Sequence, residues 1–145
     1  MLVSCTESIF VARPPETVFD FTQAYAGRPR WDASVLEARV LQAAPLPRVA
    51  VRLAGGVSGV FEYRLFERPL RTSVALVEVR SALVDGGGGS WSYAAREGGT
   101  LWTATNSLRF KSRVAGWILG RFVRSALRRG TRAALAAAKA ELERA

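Results

Sequence analysis

The hydrophobic pattern of the chain changes once, near residue 112, and this change constrains the fold more than any other feature. Before it, apolar and polar residues alternate in short runs separated by glycine and proline, as in β-strands. After it, from Arg113 to about Glu143, the spacing is helical, and alanine is dense between Ala133 and Ala140. Ser112 is suited to cap this helix. The sequence therefore predicts a sheet followed by one long C-terminal helix.

The turn-separated runs predict about seven strands and two short helices. A strand over residues 2–12 precedes a short helix that Pro14, Pro15 and Glu16 open, and a connector or second short helix follows at residues 27–32. Further strands are predicted over residues 35–42, 48–54, 59–67, 72–81, 90–96 and 100–111. Gly86 to Gly89 are interpreted as a flexible turn, because the ending of a phosphate loop is missing and no helix follows.

The length and cysteine content predict one reduced domain. The chain has 145 residues, which is enough for a single domain with its own core over residues 1–145. Cys5 is the only cysteine, so no intramolecular disulfide and no thiolate metal cluster can form. Residues 1–10 lack the features of a signal peptide, and no apolar run is as long as a membrane span. We expect a soluble, cytoplasmic protein.

The chain contains no histidine, which is its sharpest chemical feature. This absence excludes Ser-His-Asp and Cys-His nucleophile systems, histidine-ligated metals and an imidazole base. The charged residues on predicted elements are Asp32, Glu62, Arg64 and Glu78, and alternation directs Glu62 and Arg64 to solvent, where an ion pair is worth little. We predict no catalytic residue, no metal site and no cofactor.

Alternation places many aromatic residues on one face of the sheet. In the last strand this face carries Trp102, Ala104, Asn106, Leu108 and Phe110. These side chains either line a cavity beneath the long helix or fill a solid core, and Asn106 either anchors a ligand or bonds to a neighbouring backbone group. The predicted ligand-binding residues are Phe19, Trp31, Phe61, Tyr63, Trp91, Tyr93, Trp102, Asn106, Leu119 and Phe122.

Helical periodicity predicts which side of the long helix faces inward. Leu119 and Phe122 begin this face, so we expect their bulk to roof the cavity. The face continues through small residues that could approach the sheet closely: Ala126, Gly130, Ala133, Ala137 and Ala140.

The charge of the chain raises the question of an anionic partner. The net charge is +9, with 19 arginines and two lysines. One side of the long helix collects Arg113, Arg121, Arg124, Arg128 and Arg132, with Arg129 nearby and Trp117 on the same side. This side suits transient contact with an anionic membrane, but it also suits a solvated outer face. No nucleic-acid-binding motif is present, so we expect no nucleic acid partner. The oligomeric state is left open.

Three segments resemble the START and polyketide-cyclase superfamily, also called SRPBCC. Residues 8–21, SIFVARPPETVFDF, are similar to the family's opening strand followed by Ala-x-Pro-x-x-x-Val-Phe. Trp31 resembles the tryptophan of the second short helix, and Gly98-Gly99-Thr100 resembles the late hairpin. The resemblance spans nearly the whole chain. It implies an α+β helix-grip fold, in which a curved antiparallel sheet surrounds the terminal helix.

The resemblance also implies a function. Members of this superfamily bind lipids, sterols, polyketides or other apolar molecules between sheet and helix, and a minority are cyclases or aromatases. The implied function is binding or transport of a small hydrophobic ligand, lipid or polyketide-like. The alternative is a polyketide cyclase, aromatase or dehydratase in which Tyr63, Tyr93, Asn106 or Asp32 handles protons. A shared fold does not decide between them.

Overall fold

The computed structural model describes residues 1–144, and its elements follow the predicted order. A single 3₁₀ turn, Tyr25–Gly27, separates the two short helices. The strands and helices are β1 (Leu2–Val11), α1 (Pro15–Gln23), α2 (Arg28–Trp31), β2 (Val35–Gln42), β3 (Arg48–Leu53), β4 (Val57–Glu67), β5 (Arg71–Arg80), β6 (Val84–Arg96), β7 (Gly99–Phe110) and α3 (Arg113–Arg144).

The seven strands form one antiparallel sheet in the order β1-β7-β6-β5-β4-β3-β2. The first strand therefore pairs with the last, and β1 and β2 are the two edges. The long helix α3 packs mainly against β1 and β7, so it lies toward one side of the sheet. This arrangement confirms the predicted α+β helix-grip fold. None of the helices within residues 1–144 is long and apolar enough to cross a membrane.

Two clusters of buried side chains lie on the inner face of the sheet. The first joins α1, α2, β6 and β7 to the C-terminal half of α3, and Trp102 and Ala138 are fully buried within it. The second lies mainly on β3, β4 and β5 and includes Tyr25, Val49 and Tyr63. The inner space is thus divided into a part that α3 covers closely and a part beside the segment after α1.

The glycines at residues 86–89 belong to strand β6, so their predicted flexible turn is wrong. A Cβ atom on Gly88 would overlap the carbonyl oxygen of Val74 on β5, and one on Gly87 would overlap the carbonyl oxygen of Ser107 on β7. Gly87 also adopts φ +153°, which residues with a side chain rarely adopt. The glycines therefore allow close approach of the neighbouring strands, and they leave no alternation from which a strand could be predicted.

The predicted start of α3 is confirmed, but its predicted inward face is wrong. The N–H of Ala115 donates to Ser112 Oγ at 3.3 Å. Phe122 is 70% exposed, so it does not roof the interior, and Leu119 is only half-buried. Close packing on the sheet selects small side chains in the first half of the helix and turns its bulky ones outward. The buried residues of α3 are Gly116, Gly120, Thr131, Ala134, Leu135, Ala138 and Leu142.

Candidate functional site

A cavity of about 50 Å³ lies between the inner face of the sheet and the segment that follows α1. Its volume has room for only a few water molecules, well below the volume of a drug-sized ligand. Strands β4, β5, β6 and β7 and the end of α1 contribute its walls. The lining residues are Gln23, Tyr25, Arg28, Phe61, Tyr63, Thr72, Val74, Gly88, Gly89, Trp91 and Asn106.

Four of the predicted ligand-binding residues line this cavity: Phe61, Tyr63, Trp91 and Asn106. The register explains why they converge. Trp91 lies opposite Ala104 on β7, and Asn106 lies opposite Gly89 on β6, so the tryptophan and the amide reach the same space above the glycines. The Trp91 Nε1–H donates to Asn106 Oδ1 at 3.0 Å.

Four other predicted residues are buried in the first core cluster and do not line the cavity: Phe19, Trp31, Tyr93 and Trp102. Tyr93 stacks on Trp102 with an interplanar angle of 8°, and Phe19 meets Tyr93 edge-on at a centroid distance of 5.1 Å. Ring contacts of this kind fill space efficiently. The sequence left open whether these four residues line a cavity or fill a solid core. The structure shows that they fill a solid core.

Arg28 is the charged group of the cavity, and its guanidinium is buried. Its Nε donates to Asp32 Oδ2 at 2.8 Å, its Nη1 donates to the carbonyl oxygen of Thr22 at 3.3 Å, and its carbon Cζ lies 4.4 Å from the Trp91 ring centroid. Burial alone would lower the pKa of Arg28, but Tyr25 and Asp32 outweigh this effect and raise it. The cavity therefore contains a permanent cation, held by a carboxylate and an aromatic face.

A chain of hydrogen bonds runs along the wall beside Arg28. Tyr63 donates its hydroxyl to Gln23 Oε1 at 2.6 Å, and Gln23 Nε2 donates to the Tyr93 hydroxyl oxygen at 2.8 Å. The hydroxyls of Tyr25 and Tyr63 are 2.6 Å apart. Since a phenol has one proton and Tyr63 uses its own on Gln23, Tyr25 donates to Tyr63. The chain is fully satisfied and ends at Thr22, whose Oγ1 is 2.7 Å from the Tyr93 oxygen.

The two central phenols stay protonated at physiological pH. Burial raises the pKa of Tyr63, and the neighbouring Tyr25 raises it further. Burial also raises the pKa of Tyr93, to about 12, although its hydrogen bonds with Thr22 and Gln23 oppose the shift. Neutral phenols can donate hydrogen bonds to a ligand oxygen, but they are poor bases at neutral pH.

Asn106 forms hydrogen bonds with side chains on both sides of it. The sequence left open a bond to a neighbouring backbone group as the alternative to a ligand anchor. Its Oδ1 accepts from Trp91, and its Nδ2 donates to Thr131 Oγ1 at 3.0 Å. Thr131 lies at the middle of α3, and its Oγ1 is also 3.5 Å from Cys5 Sγ. Asn106 therefore ties the cavity wall to the helix.

The carboxylates on predicted elements are engaged elsewhere. Asp32 is buried, and its Oδ1 accepts from the N–H and the hydroxyl of Ser34 while its Oδ2 accepts from Arg28. Glu62 pairs with Arg64 in a partly exposed ion pair, as alternation predicts. Within residues 1–144, no group of three or more metal-ligating side chains of the Cys, Asp or Glu type comes together.

Sequence reasoning missed the part of the cavity that comes from residues 23–28. Gln23, Tyr25 and Arg28 occupy the end of α1 and the connector after it, where polar residues indicate an exposed turn. Arg28 is buried because Asp32 and the ring of Trp91 compensate its charge. Only the pairing of Arg28 with Asp32 at a spacing of four residues could have indicated this ion pair from the sequence.

A curved antiparallel sheet around a long C-terminal helix defines the class of helix-grip proteins. The sequence profile described as "Polyketide cyclase / dehydrase and lipid transport" matches residues 3–143, and the chain belongs to this family. No curated protein sequence gives a significant match.

Solved structures support the same fold at low sequence identity. The Zhui aromatase/cyclase of a Streptomyces species superposes with a TM-score of 0.82 at 16% identity, covering 99% of this chain and 95% of that one. A START superfamily protein from Mycobacterium smegmatis gives a TM-score of 0.77 at 13% identity, with 98% of each chain covered. The di-domain ARO/CYC BexL gives 0.72 at 22% identity, covering 98% of this chain, which spans about half (50%) of BexL.

Proposed function

We propose that the chain binds a small, largely apolar molecule that carries at least one hydrogen-bonding oxygen, a polyketide-like compound rather than a plain hydrocarbon tail. The observation that carries this proposal is the buried guanidinium of Arg28 at the wall of an aromatic cavity. Its Nε donates to Asp32 and its Nη1 donates to Thr22, whereas its Nη2 donates to no residue within 1–144. A ligand oxygen could accept a hydrogen bond from this Nη2, while the rings of Phe61 and Trp91 would contact the apolar part of the ligand.

Ligand entry requires the cavity to widen. At about 50 Å³ the cavity is smaller than a single aromatic compound of several rings. Gln23 and Phe61 are half-buried lining side chains, and a change of their rotamers would widen the cavity. Turning Gln23 away would break its bonds to Tyr63 and Tyr93. A ligand carbonyl could then accept from Tyr63, whereas only a ligand hydroxyl could also donate to the Tyr93 oxygen. We therefore expect ligand binding and rearrangement of this hydrogen-bond chain to occur together.

Native mass spectrometry of the protein purified from cells tests this proposal. We expect a small-molecule adduct on the unchanged chain. Val74→Phe, which adds a ring to the cavity wall, should reduce the adduct by about tenfold, since the ring occupies the space that the ligand needs. Val40→Phe on the exposed edge strand β2 is the matched control and should retain the adduct. Equal occupancy in both variants would show that the ligand lies elsewhere.

A cyclase, aromatase or dehydratase activity in the same cavity is the second candidate. It is favoured by the paired phenols of Tyr25 and Tyr63 beside Arg28, which could donate hydrogen bonds to a carbonyl as its oxygen gains negative charge. It also agrees with the names of two structural relatives, an aromatase/cyclase and a di-domain ARO/CYC. Against it, the cavity lining includes no carboxylate, and the Arg28 guanidinium and the Tyr63 phenol, whose pKa values are both raised, stay protonated at neutral pH.

Replacing the candidate proton-handling residues tests this second function. Full turnover of a polyketide-like substrate after combined substitution of Asp32, Tyr63, Tyr93 and Asn106 would rule out proton transfer by these groups. A loss of turnover with unchanged binding would support catalysis over carriage.

Contact with an anionic membrane through Arg121, Arg124, Arg128 and Arg132 also stays a prediction. Arg132 and Arg128 lie against Glu7 of β1, which partly compensates their charge. Arg121 and Arg124 make no ion pair with any residue of the described chain. The four arginines alone thus support only a weak, salt-sensitive contact.

A further inference from the structure

The first turns of α3 carry a row of large apolar side chains that the fold does not cover. Trp117 is 80% exposed, Phe122 70%, Val114 66% and Ile118 56%. Val114, Ile118 and Phe122 follow one another at intervals of four residues, and Trp117 lies three residues after Val114, so all four protrude from one side of the helix. We call these four residues the apolar ridge. Scattered exposed apolar residues are ordinary, but a contiguous row of this size marks an interaction surface.

The ridge continues onto the adjoining strand ends. The N–H of Phe110 donates to the carbonyl oxygen of Met1 at 2.9 Å, and the N–H of Lys111 donates to the carbonyl oxygen of Leu83 at 2.9 Å. These bonds hold Met1 and Leu83 at the end of the molecule where α3 begins, both side chains are exposed, and Met1 lies beside Val114 and Trp117. The apolar surface therefore occupies one end of the protein.

The same end is strongly basic. No acidic residue occurs between Gly98 and Ala140 in the sequence, and Asp85, which lies near the N-terminus and Lys111 at this end, is paired with Arg109. Arg113, Arg121 and Arg124 flank the ridge, and none of them forms an ion pair within residues 1–144. Their charges are therefore available to an anionic partner at the same surface as the ridge.

We propose that this end of the molecule docks on an anionic lipid bilayer, with the apolar ridge inserted among the headgroups and Arg113, Arg121 and Arg124 against the lipid phosphates. A helix with protruding Trp, Phe and aliphatic side chains beside arginines has the composition of interfacial helices. Met1, Arg113, Val114 and Trp117 line an open and mainly apolar hollow at this end. The arginines beside these apolar side chains match the anionic headgroups of a bilayer, and the apolar side chains match the hydrocarbon beneath them, so a lipid surface is the partner that fits both.

Docking in this orientation would bring the cavity close to the lipid. Asn106 lies four residues before the end of β7 at Phe110, which corresponds to about 13 Å along the strand. This proposal extends the membrane contact predicted above for Arg121 and Arg124, and it does not depend on the ligand proposed for the cavity, because the ridge and the arginines are separate from the residues that line the cavity.

Tryptophan fluorescence with lipid vesicles tests the docking. Trp117 is the exposed one of four tryptophans, and the other three are buried, so a blue shift on binding would report on Trp117. We expect a shift and co-sedimentation with vesicles of phosphatidylcholine mixed with phosphatidylglycerol, and much weaker binding to phosphatidylcholine alone.

Two variants separate insertion from simple charge attraction. The combined Val114→Ser, Ile118→Ser and Phe122→Ser change keeps the reporter and should weaken binding by about tenfold or more. Leu70→Ser is the matched control, because Leu70 is 57% exposed in the turn between β4 and β5, and it should bind unchanged.

The second variant combines Arg113→Gln, Arg121→Gln and Arg124→Gln, and each arginine should contribute about fivefold. Arg39→Gln on the edge strand β2 is its control and should bind unchanged. The proposal is overturned by absent vesicle binding, by a ridge variant that binds as tightly as the unchanged chain, or by ridge-dependent self-association without vesicle binding.

Discussion

The two halves of α3 have opposite relations to the sheet. After Gly130, the helix buries Thr131, Ala134, Leu135, Ala138 and Leu142 against the first core cluster. Before it, the helix is buried only at Gly116 and Gly120, and its largest apolar side chains face outward. The same helix therefore combines a half that holds the fold together with a half whose surface is left unpartnered.

This difference indicates where stability and function reside. Apolar side chains that pack on the sheet stabilise the fold, whereas exposed ones contribute little to it and need another explanation. The cavity lies near the junction of the two halves, because Asn106 on its wall bonds to Thr131. We therefore expect the functional residues to lie near this junction and in the half of α3 before it. The residues that stabilise the fold lie in the half after it.

The largest expected effect is on the packed half. Leu135→Ala should lower the free energy of unfolding by about 2–5 kcal/mol, since it removes a buried side chain and leaves a cavity. Phe122→Ala on the exposed half should change it by no more than about 0.5 kcal/mol. Urea denaturation of both variants gives the two values, and similar losses would break the distinction between the halves.

Overpacking tests how closely the second half approaches the sheet. Ala138 is fully buried, so Ala138→Leu should destabilise by about 1–3 kcal/mol. Ala136→Leu, at a neighbouring exposed position, is the control and should be nearly neutral. Thermal unfolding of both variants measures this, and tolerance of leucine at residue 138 would mean that the helix is not clamped there.

The ionisation of the buried tyrosines at alkaline pH tests the environment of the phenols beside the cavity. Tyr93 has its pKa raised to about 12, above the ordinary value near 10. Folding therefore favours the neutral phenol, so this contribution to stability is complete below about pH 10 and is lost as the pH rises through about 12. Absorbance at alkaline pH should show that Tyr63 and Tyr93 ionise only well above pH 10, and ionisation of both near pH 10 in the folded protein would contradict this.

The smallest effect is at the junction itself. A Cβ added at Gly130 would meet nothing within 4 Å, so Gly130→Ala should stabilise the helix by about 0.5–1 kcal/mol. A higher melting temperature is the expected observation. A lower one would mean that Gly130 is needed for the change of packing between the halves.

The sequence predicts most of the fold because strands, turns and the long helix each leave a local pattern. The same patterns place Phe61, Tyr63, Trp91 and Asn106 at the cavity wall. Arg28 could not be predicted there, because its burial depends on tertiary partners. The prediction of the inward face of α3 was wrong because it assigned the bulky Leu119 and Phe122 to the interior. Close packing on β1 instead favours glycine and alanine at the buried positions.

The glycine segment shows a further physical limit. Gly86–Gly89 have no side chains to alternate, so the sequence contains no strand signal for them. Their role depends on the close approach of β5 and β7, which only the three-dimensional structure shows.

The most direct measurement is a ¹H–¹⁵N NMR titration with 2-naphthol, a planar aromatic probe with one hydroxyl. The four tryptophan indoles report on different places: Trp91 on the cavity, Trp31 and Trp102 on the core, and Trp117 on the ridge. The account predicts saturable shifts of the Trp91 indole and the Gly89 amide, with Trp117 unchanged. Shifts confined to Trp117, or no saturable shift at Trp91, would contradict a binding site in this cavity.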